Sequence, residues 1–139
     1  MELRTGDTPS ALRRRQQERL PTALVTTPES LSILMSYAGT RRRFASLRCV
    51  VVDEWHELLG SKRGVQTELC LAHLRAIAPR LRTWGLSATV GNLDEARTAL
   101  LGPESAGALV RGEIDKRIEI DTLAPDDVRH SAQTVFGVI

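Results

Sequence analysis

The stretch Val-Val-Val-Asp-Glu-Trp-His at residues 50–56 decides which fold this chain is expected to adopt. Three consecutive valines are typical of a strand that is apolar on both faces, as in a parallel sheet covered by helices. Two acidic residues follow directly, and ligands bind at the carboxyl ends of strands in open α/β sheets. The stretch therefore predicts a buried parallel strand with Asp53 and Glu54 at its ligand-binding end.

Strand and helix signals alternate along the first hundred residues. Alternating elements of this kind indicate an α/β layer architecture with right-handed crossovers between parallel strands. Trp84, at the start of the last apolar run, is expected in the core. The predicted strands cover residues 24–25, 47–52 and 84–86, and the predicted helices cover residues 9–20, 28–38, 64–78 and 93–101.

The predicted helices have readable ends. Thr8 and Thr27 each precede a proline, which favours a capping residue followed by the first helical position. Asn92 precedes Glu95 by three residues, as in a capping box. Along the helix at 64–78, one amphipathic stripe carries four apolar residues, Val65, Leu69, Ala72 and Ala76.

Length and composition are those of a small globular domain or of a piece of a larger one. The chain has 139 residues, of which 42% are hydrophobic and 26% are charged. No apolar run approaches the roughly 20 residues of a membrane span, and no secretory signal opens the chain. A cytoplasmic location is therefore predicted, and Cys49 and Cys70 are expected to be buried thiols.

Charge alone does not indicate a nucleic-acid partner, because the net charge is only +2. Arginines nevertheless cluster at residues 13–15 and 41–43. Guanidinium groups bind phosphate oxygens well, but such runs also occur on solvated helix and loop faces. Both interpretations of the clusters stay open at the level of sequence.

The acidic residues at 53–54 could carry phosphate chemistry. An aspartate at the end of a strand can hold a Mg²⁺ ion that bridges nucleotide phosphates, and Glu54 is placed to orient or deprotonate an attacking water. His56 could sense the phosphate through hydrogen bonds. The tripeptide Ser-Ala-Thr at 87–89 follows another apolar run. Only one helix fits between the two runs, so their strands could lie side by side.

Four motifs, in the correct order, resemble those of superfamily 2 helicases. Residues 53–56 resemble the DExH form of motif II, residues 87–89 resemble motif III, residues 27–31 resemble motif Ib, and residues 4–8 resemble the preceding Thr-Gly-Asp segment. The longer strings at 51–64 and 84–93 are most similar to Lhr-type helicases, and among them to the bacterial ligase-associated DEXH-box group.

The resemblance implies a partial RecA-like (P-loop NTPase) α/β domain, with a mostly parallel sheet and helices on both faces. Residues 1–103 would form the rear half of the first RecA-like domain. Residues 104–139 would lead towards the second one. Within them, the alternating residues at 109–112 and 117–121 themselves predict an exposed or edge strand. ATP and Mg²⁺ would be the cofactors. The chain contains no G-x-x-x-x-G-K-[ST] loop, so we expect it to hydrolyse no ATP alone.

The resemblance also implies roles for individual residues. Asp53 would coordinate Mg²⁺ through water and Glu54 would act on the hydrolytic water. His56 would link the nucleotide site to the second motor domain. Ser87 and Thr89 would couple hydrolysis to strand movement.

Nucleic acid would bind to a second set of residues. The segment Thr27, Pro28, Glu29 and Ser30 would present a helix N-terminus to the DNA backbone, which also suits an anion on physical grounds. Thr5 and Gly6 would contact the backbone from a neighbouring turn, and Lys62 and Arg63 are expected in the loop after motif II. The implied partners are single-stranded or partly duplex DNA, the rest of the helicase chain, and a DNA ligase and nuclease in DNA repair.

Two other function classes are open. The absent phosphate loop and the arginine clusters are compatible with a non-catalytic nucleic-acid-binding module. A metal-dependent hydrolase could use Asp53, His56, Cys70 and His73, although their spacing matches no standard metal site. DNA affinity that responds to ATP and Mg²⁺ would distinguish a motor from a passive module.

Overall fold

A computed structural model describes residues 1–88, 91–103 and 105–112. The chain divides into two compact units, residues 1–107 and residues 108–139. In the second unit the described residues, 108–112, form neither helix nor strand. The edge strand predicted at 109–112 is therefore wrong there, because no neighbouring strand pairs with that alternating pattern among the described residues. Its continuation at 117–121 lies outside them, as do Thr89 and most of the predicted linker.

Parallel strand pairs and intervening helices make up the first unit, as predicted. Strand β1 pairs with β2, and β3 pairs with β4, both in parallel. No helix in the described part of the chain is long and apolar enough to cross a membrane. In chain order the elements are β1 (Glu2–Arg4), α1 (Ser10–Glu18), β2 (Leu24–Thr26), α2 (Pro28–Ser36), α3 (Thr40–Phe44), β3 (Cys49–Val52), α4 (Trp55–Leu58), α5 (Lys62–Ile77), β4 (Arg82–Gly85) and α6 (Leu93–Leu101).

The three strands predicted at 24–25, 47–52 and 84–86 and all four predicted helices are present. The sequence did not predict β1, α3 and α4, which have three, five and four residues. Elements this short complete too little of a period for a hydrophobic pattern to be visible.

Three helices begin at side chains that accept a hydrogen bond from the first turn. Thr27 accepts from the Ser30 amide at 3.3 Å, and Asn92 accepts from the Glu95 amide at 3.2 Å, as predicted. Ser61 accepts from the Gly64 amide at 3.0 Å, so α5 begins at Lys62. Lys62 and Arg63 therefore lie in a helical turn and not in the predicted loop.

The predicted capping role of Thr8 is wrong. Helix α1 begins after Pro9 without a side-chain cap. The Thr8 hydroxyl instead accepts a hydrogen bond from the Thr5 amide at 2.8 Å, which closes the turn between β1 and α1. Thr8 thus stabilises the turn that contains the predicted DNA-contacting residues Thr5 and Gly6.

The helices of the described residues pack on one side of the strands and not on both faces as predicted. One buried cluster is formed by Val52, Trp55, Leu71, Ala96 and Leu100. The other is formed by Leu34, Phe44, Leu74 and Ile77, against which Leu24 and Val50 pack. Alternate residues of β2 and β3, such as Leu24, Val50 and Val52, therefore face the helices. This orientation of the strands also sets the direction in which the chain leaves the sheet at the site residues.

The other side of the strands is an exposed apolar surface. Leu3, Val25, Val51 and Trp84 are 50–59% exposed. Cys49 lies on the same side of β3 as Val51 and is also exposed. The predictions that Trp84 belongs to the core and that both cysteines are buried are therefore wrong, because no helix of the described residues covers this side.

Helix α5 buries a different stripe from the one singled out in the sequence. Leu71, Leu74 and Ile77 are buried, whereas Val65 and Leu69 are more than half exposed. The helix packs against α2, α3, α4 and α6 with its buried side. At its start Gly64 lies so close to the Leu58 carbonyl that a Cβ atom would stand 2.0 Å from that oxygen, so only glycine fits there.

Candidate functional site

The carboxyl ends of β3 and β4 bring the predicted nucleotide-site residues to one edge. In the register of this pair Val52 lies opposite Gly85. The Trp55 amide donates to the Leu86 carbonyl at 2.9 Å, which extends the contact past the strand ends. Asp53 and Glu54 therefore leave the sheet beside Ser87, although 33 residues separate Glu54 from Ser87 in sequence.

Glu54 occupies an unusual backbone conformation. Its φ is 49°, in the left-handed region, and it is the one non-glycine residue with positive φ in the described part of the chain. Such a conformation is uncommon for a residue with a Cβ atom, and residues held in it cluster at functional sites. The turn ends β3 abruptly, begins α4 and leaves the carboxylates of Asp53 and Glu54 exposed.

His56 connects the two segments that leave the sheet here. Its Nδ1 atom is 3.2 Å from the Ser87 hydroxyl and accepts from the Ala88 amide at 3.2 Å. Because an amide can only donate, Nδ1 is the acceptor in the contact with Ala88. Nε2 faces the Glu57 carboxylate at 3.4 Å, and Nδ1 lies 3.4 Å from the Glu54 carboxylate.

The two acidic residues suit Mg²⁺ better than a transition metal. Asp53 and Glu54 line a cavity of about 1730 Å³ beside β3. Mg²⁺ is usually held by one or two carboxylates together with water and phosphate oxygens, so two exposed carboxylates are a sufficient protein contribution. Within the described ranges no cluster of three or more His, Cys, Asp or Glu residues could hold a metal by itself.

The metal-dependent hydrolase receives no support from the structure. Cys70 is buried in α5, and burial raises the pKa of its thiol, which disfavours the thiolate that a metal needs. His73 is exposed on the same helix. Neither residue joins Asp53 or His56 in a ligand set among the described residues.

The carboxyl ends of β1 and β2 form a second edge, where the predicted DNA-contacting segments meet. Arg4 lies opposite Thr26 in this pair, so Thr5 and Thr27 follow neighbouring strand ends. Thr27 caps α2 and Pro28 is its first residue. The structure thus brings together the turn at 5–6 and the helix start at 27–30. It buries the side chain of Ser30, however, so only its neighbours are open to a ligand.

A salt bridge connects the second edge with the helix that follows motif II. Arg63 Nε, in α5, lies 2.7 Å from the Glu29 carboxylate, in the first turn of α2. The Glu29 pKa is lowered, first because its carboxylate accepts from its own backbone amide and also because of Arg63. Sequence reasoning did not find this contact, because the partners are 34 residues apart and only the packing of α2 on α5 brings them together.

Replacing Glu29 with glutamine should lower the free energy of unfolding by up to about 1 kcal/mol at pH 7. Since the pKa of Glu29 is lowered in the folded state, the carboxylate stabilises the fold above its unfolded pKa, and this contribution is lost as the pH falls through the folded value. Urea denaturation between pH 3 and 7 should show the difference from the unaltered chain shrinking towards low pH. Glu18→Gln is the control, because the Glu18–Arg14 contact is longer, at 3.6 Å, and largely exposed. A difference that grows at low pH would contradict the prediction.

Comparison of the sequence with known proteins identifies one family, and the matched residues include both strand pairs. The sequence profile described as DEAD/DEAH box helicase matches residues 1–96. The ATP-dependent helicase Lhr-Core of Methanothermobacter thermautotrophicus is 38% identical over 129 residues, which are 90% of this chain and 15% of that protein. The Lhr helicase/uracil glycosylase of Escherichia coli is 34% identical over 91% of this chain and 8% of its own length. The chain thus spans about 15% or less of these relatives.

A solved structure has the same fold. The structure of Mycobacterium smegmatis helicase Lhr bound to ssDNA and AMP-PNP is 38% identical and superposes with a TM-score of 0.66 over 73% of this chain and 13% of that one. The partial RecA-like α/β fold and the similarity to Lhr-type helicases predicted from the sequence are both confirmed. The narrower placement in the ligase-associated group stays a prediction.

Proposed function

Because this chain belongs to the DEAD/DEAH box helicases and is a part of an Lhr-type superfamily 2 helicase, we propose that it works within an ATP-dependent motor that moves along single-stranded DNA. In this proposal the edge at β3 and β4 belongs to the nucleotide site, and the edge at β1 and β2 belongs to the DNA site. A role in DNA repair, partnership with a ligase and a nuclease, and a cytoplasmic location remain parts of the proposal.

The observation that carries the proposal is the contact of His56 with Ser87 and Ala88. His56 lies two residues after Glu54, and Ser87 and Ala88 follow strand β4. The His56 Nδ1 atom is 3.2 Å from the Ser87 hydroxyl and 3.2 Å from the Ala88 amide. The Glu54 carboxylate lies 3.4 Å from the same Nδ1 atom, so a change in its position would change the electrostatic environment of the imidazole. His56 therefore contacts the proposed coupling motif at Ser87 and lies close to the proposed catalytic carboxylate of Glu54. Thr89, the other proposed coupling residue, lies outside the described residues.

The chain's own residues supply the acidic half of the nucleotide site. Mg²⁺–ATP, when bound, brings the phosphoanhydride bond that is broken, and the ion neutralises charge on its phosphates. Asp53 would hold the ion through water, and Glu54 would orient the attacking water and accept its proton. The exposed position of both carboxylates beside the cavity supports these roles. The glycine-rich loop that would hold the phosphates is not in this sequence.

Single-stranded DNA is the substrate proposed for the other edge. The similar mycobacterial helicase has been solved bound to ssDNA. In this chain the Gly6 amide and the positive end of the α2 dipole are the features that could meet a DNA phosphate, because the N-terminus of a helix attracts anions. The Arg63–Glu29 salt bridge supports a mechanical link between this edge and the helix that follows Glu54 and His56.

The remainder of a helicase chain is the partner proposed for the exposed side of the sheets. Strands β2 and β3 each pair on one edge only in the described part of the chain, and both line the same cavity. Unpaired strand edges and half-exposed residues such as Val51 and Trp84 are the surfaces that a further strand and helices would cover. We expect low solubility of the chain alone for the same reason.

The proposal is tested by comparing the chain alone with the chain in a longer context. Alone, it should hydrolyse no ATP above background, with or without oligo-dT. Grafted in place of the matching segment of the Mycobacterium smegmatis helicase, it should support ATP hydrolysis that oligo-dT stimulates. Hydrolysis by the chain alone, abolished by Glu54→Gln, would contradict the proposed inactivity. A graft that binds oligo-dT equally with and without ATP and Mg²⁺, and hydrolyses nothing, would favour the passive binding module.

A further inference from the structure

The three arginines at 13–15 have three different environments. Arg14 is exposed and lies 3.6 Å from Glu18 on its own helix. Arg15 forms a 2.7 Å salt bridge with Glu2. Arg13 instead reaches back from α1 to the turn after β1, where its Nη2 donates to the carbonyl oxygens of both Thr5 and Gly6. Only Arg13 of these three therefore contacts the turn that the proposed function assigns to DNA.

We propose that Arg13 is a positioning residue that holds the Thr5–Gly6 turn in the conformation that receives a DNA phosphate. This inference rests on the proposed function, since it concerns the same DNA site. Arg13 holds the carbonyls of Thr5 and Gly6 against its own guanidinium, so in this inference they do not face an incoming anion. A carbonyl oxygen facing a phosphate would repel it, so the direction of these two peptide groups matters for binding.

The remaining hydrogen bonds of the turn leave one donor open. The Thr5 amide donates to the Thr8 hydroxyl, the Asp7 amide to the Thr5 hydroxyl, and the Thr8 amide to the Thr5 carbonyl. In residues 5–8, only the Gly6 amide has no acceptor among the residues that the structure describes. Gly6 is exposed, and a Cβ atom built on it would meet nothing within 4 Å. An incoming phosphate oxygen can therefore reach this amide.

Two arginines, Arg4 and Arg13, place positive charge next to the turn at residues 5–8. Arg4 is only 3% exposed, and its guanidinium donates to the Arg13 carbonyl and to the Gln16 side chain. Among the described residues no carboxylate lies within 4 Å of Arg4 or Arg13. Arg13 Nε is buried without an acceptor, so the charge is only partly solvated. These two cations offset the exposed carboxylate of Asp7, which would otherwise repel a phosphate at this turn.

The test measures the affinity of the full 139-residue chain for fluorescein-labelled oligo-dT by fluorescence anisotropy at several salt concentrations. Arg13→Ala should weaken binding roughly tenfold, as expected for lost hydrogen bonds from a charged group. The slope of log affinity against log salt should change by well under one unit, because in this inference Arg13 contacts no phosphate itself and acts on the DNA only through the turn. Arg14→Ala is the matched control on the same helix and should change the affinity far less.

Each possible result either supports or overturns the proposed positioning role of Arg13. An affinity of Arg13→Ala equal to that of the unaltered chain would overturn it and leave the proposed function standing. A slope that decreases by about one unit would mean direct phosphate contact, and would also overturn it. Absence of binding by the unaltered chain would overturn the proposed DNA site itself. If Arg13→Ala loses cooperative thermal unfolding, Arg13→Lys replaces it and should show an intermediate loss. Full affinity of Arg13→Lys would show that charge alone suffices, contrary to the inference.

Discussion

Replacing Trp55 with alanine is expected to lower the free energy of unfolding by about 3–5 kcal/mol, the range for removing a large aromatic side chain from a core. Trp55 is 2% exposed and packs in the cluster with Val52, Leu71 and Leu100. Its indole Nε1 donates to the Ala96 carbonyl at 2.9 Å, which ties α4 to α6. Alanine would remove both the packing and this buried hydrogen bond.

Trp84→Ala is the matched control, because this second tryptophan is 59% exposed. Its replacement should change the free energy of unfolding by less than about 1 kcal/mol, as for most exposed positions. Trp55→Phe would separate the two contributions, since it keeps most of the volume and removes the donor. Urea denaturation followed by circular dichroism measures all three variants. Equal losses for Trp55→Ala and Trp84→Ala would contradict the described core.

Local signals in the sequence predicted the framework of the site. The three valines before Asp53 predicted a strand, and the spacing to Ser87 predicted that a second strand would lie beside it, as the register of β3 and β4 confirms. The caps at Thr27 and Asn92 were also correct. The strand and the caps depend on residues close together in sequence, where hydrogen-bonding patterns and periodicity are strong. The pairing of β3 with β4 could be predicted because only one long helix fits between them.

Burial could not be predicted in the same way. Trp84, Cys49 and Leu69 are apolar or weakly polar residues in apolar runs, yet all three are exposed. A hydrophobic pattern shows which faces favour burial, but not whether the covering element belongs to the same stretch of sequence. The contacts of Arg13 with Gly6 and of Arg63 with Glu29 depend on how helices pack, and no local spacing encodes them.

Changing Glu54 to glutamine is expected to have the largest effect on activity. In the graft into the Mycobacterium smegmatis helicase, ATP hydrolysis should fall by roughly 10²–10⁴-fold, the usual contribution of a positioned general base. Glutamine has nearly the same shape but cannot accept a proton from water. The left-handed backbone at Glu54, with φ 49°, holds the side chain at the end of β3 in either variant, so the fold should be unaffected.

Glu57→Gln separates a specific role of Glu54 from a general effect of negative charge. Glu57 lines the same cavity and lies 3.4 Å from His56 Nε2, but it is one helical turn away from the strand end. Its replacement should reduce hydrolysis far less than that of Glu54. Binding of a fluorescent ATP analogue should persist in both variants, because Asp53 is the residue proposed to hold the ion. If the two variants lose hydrolysis equally, proximity to His56 matters more than proton transfer at Glu54. In that case the catalytic assignment of Glu54 would have to be abandoned in favour of a purely electrostatic role for the acidic cluster.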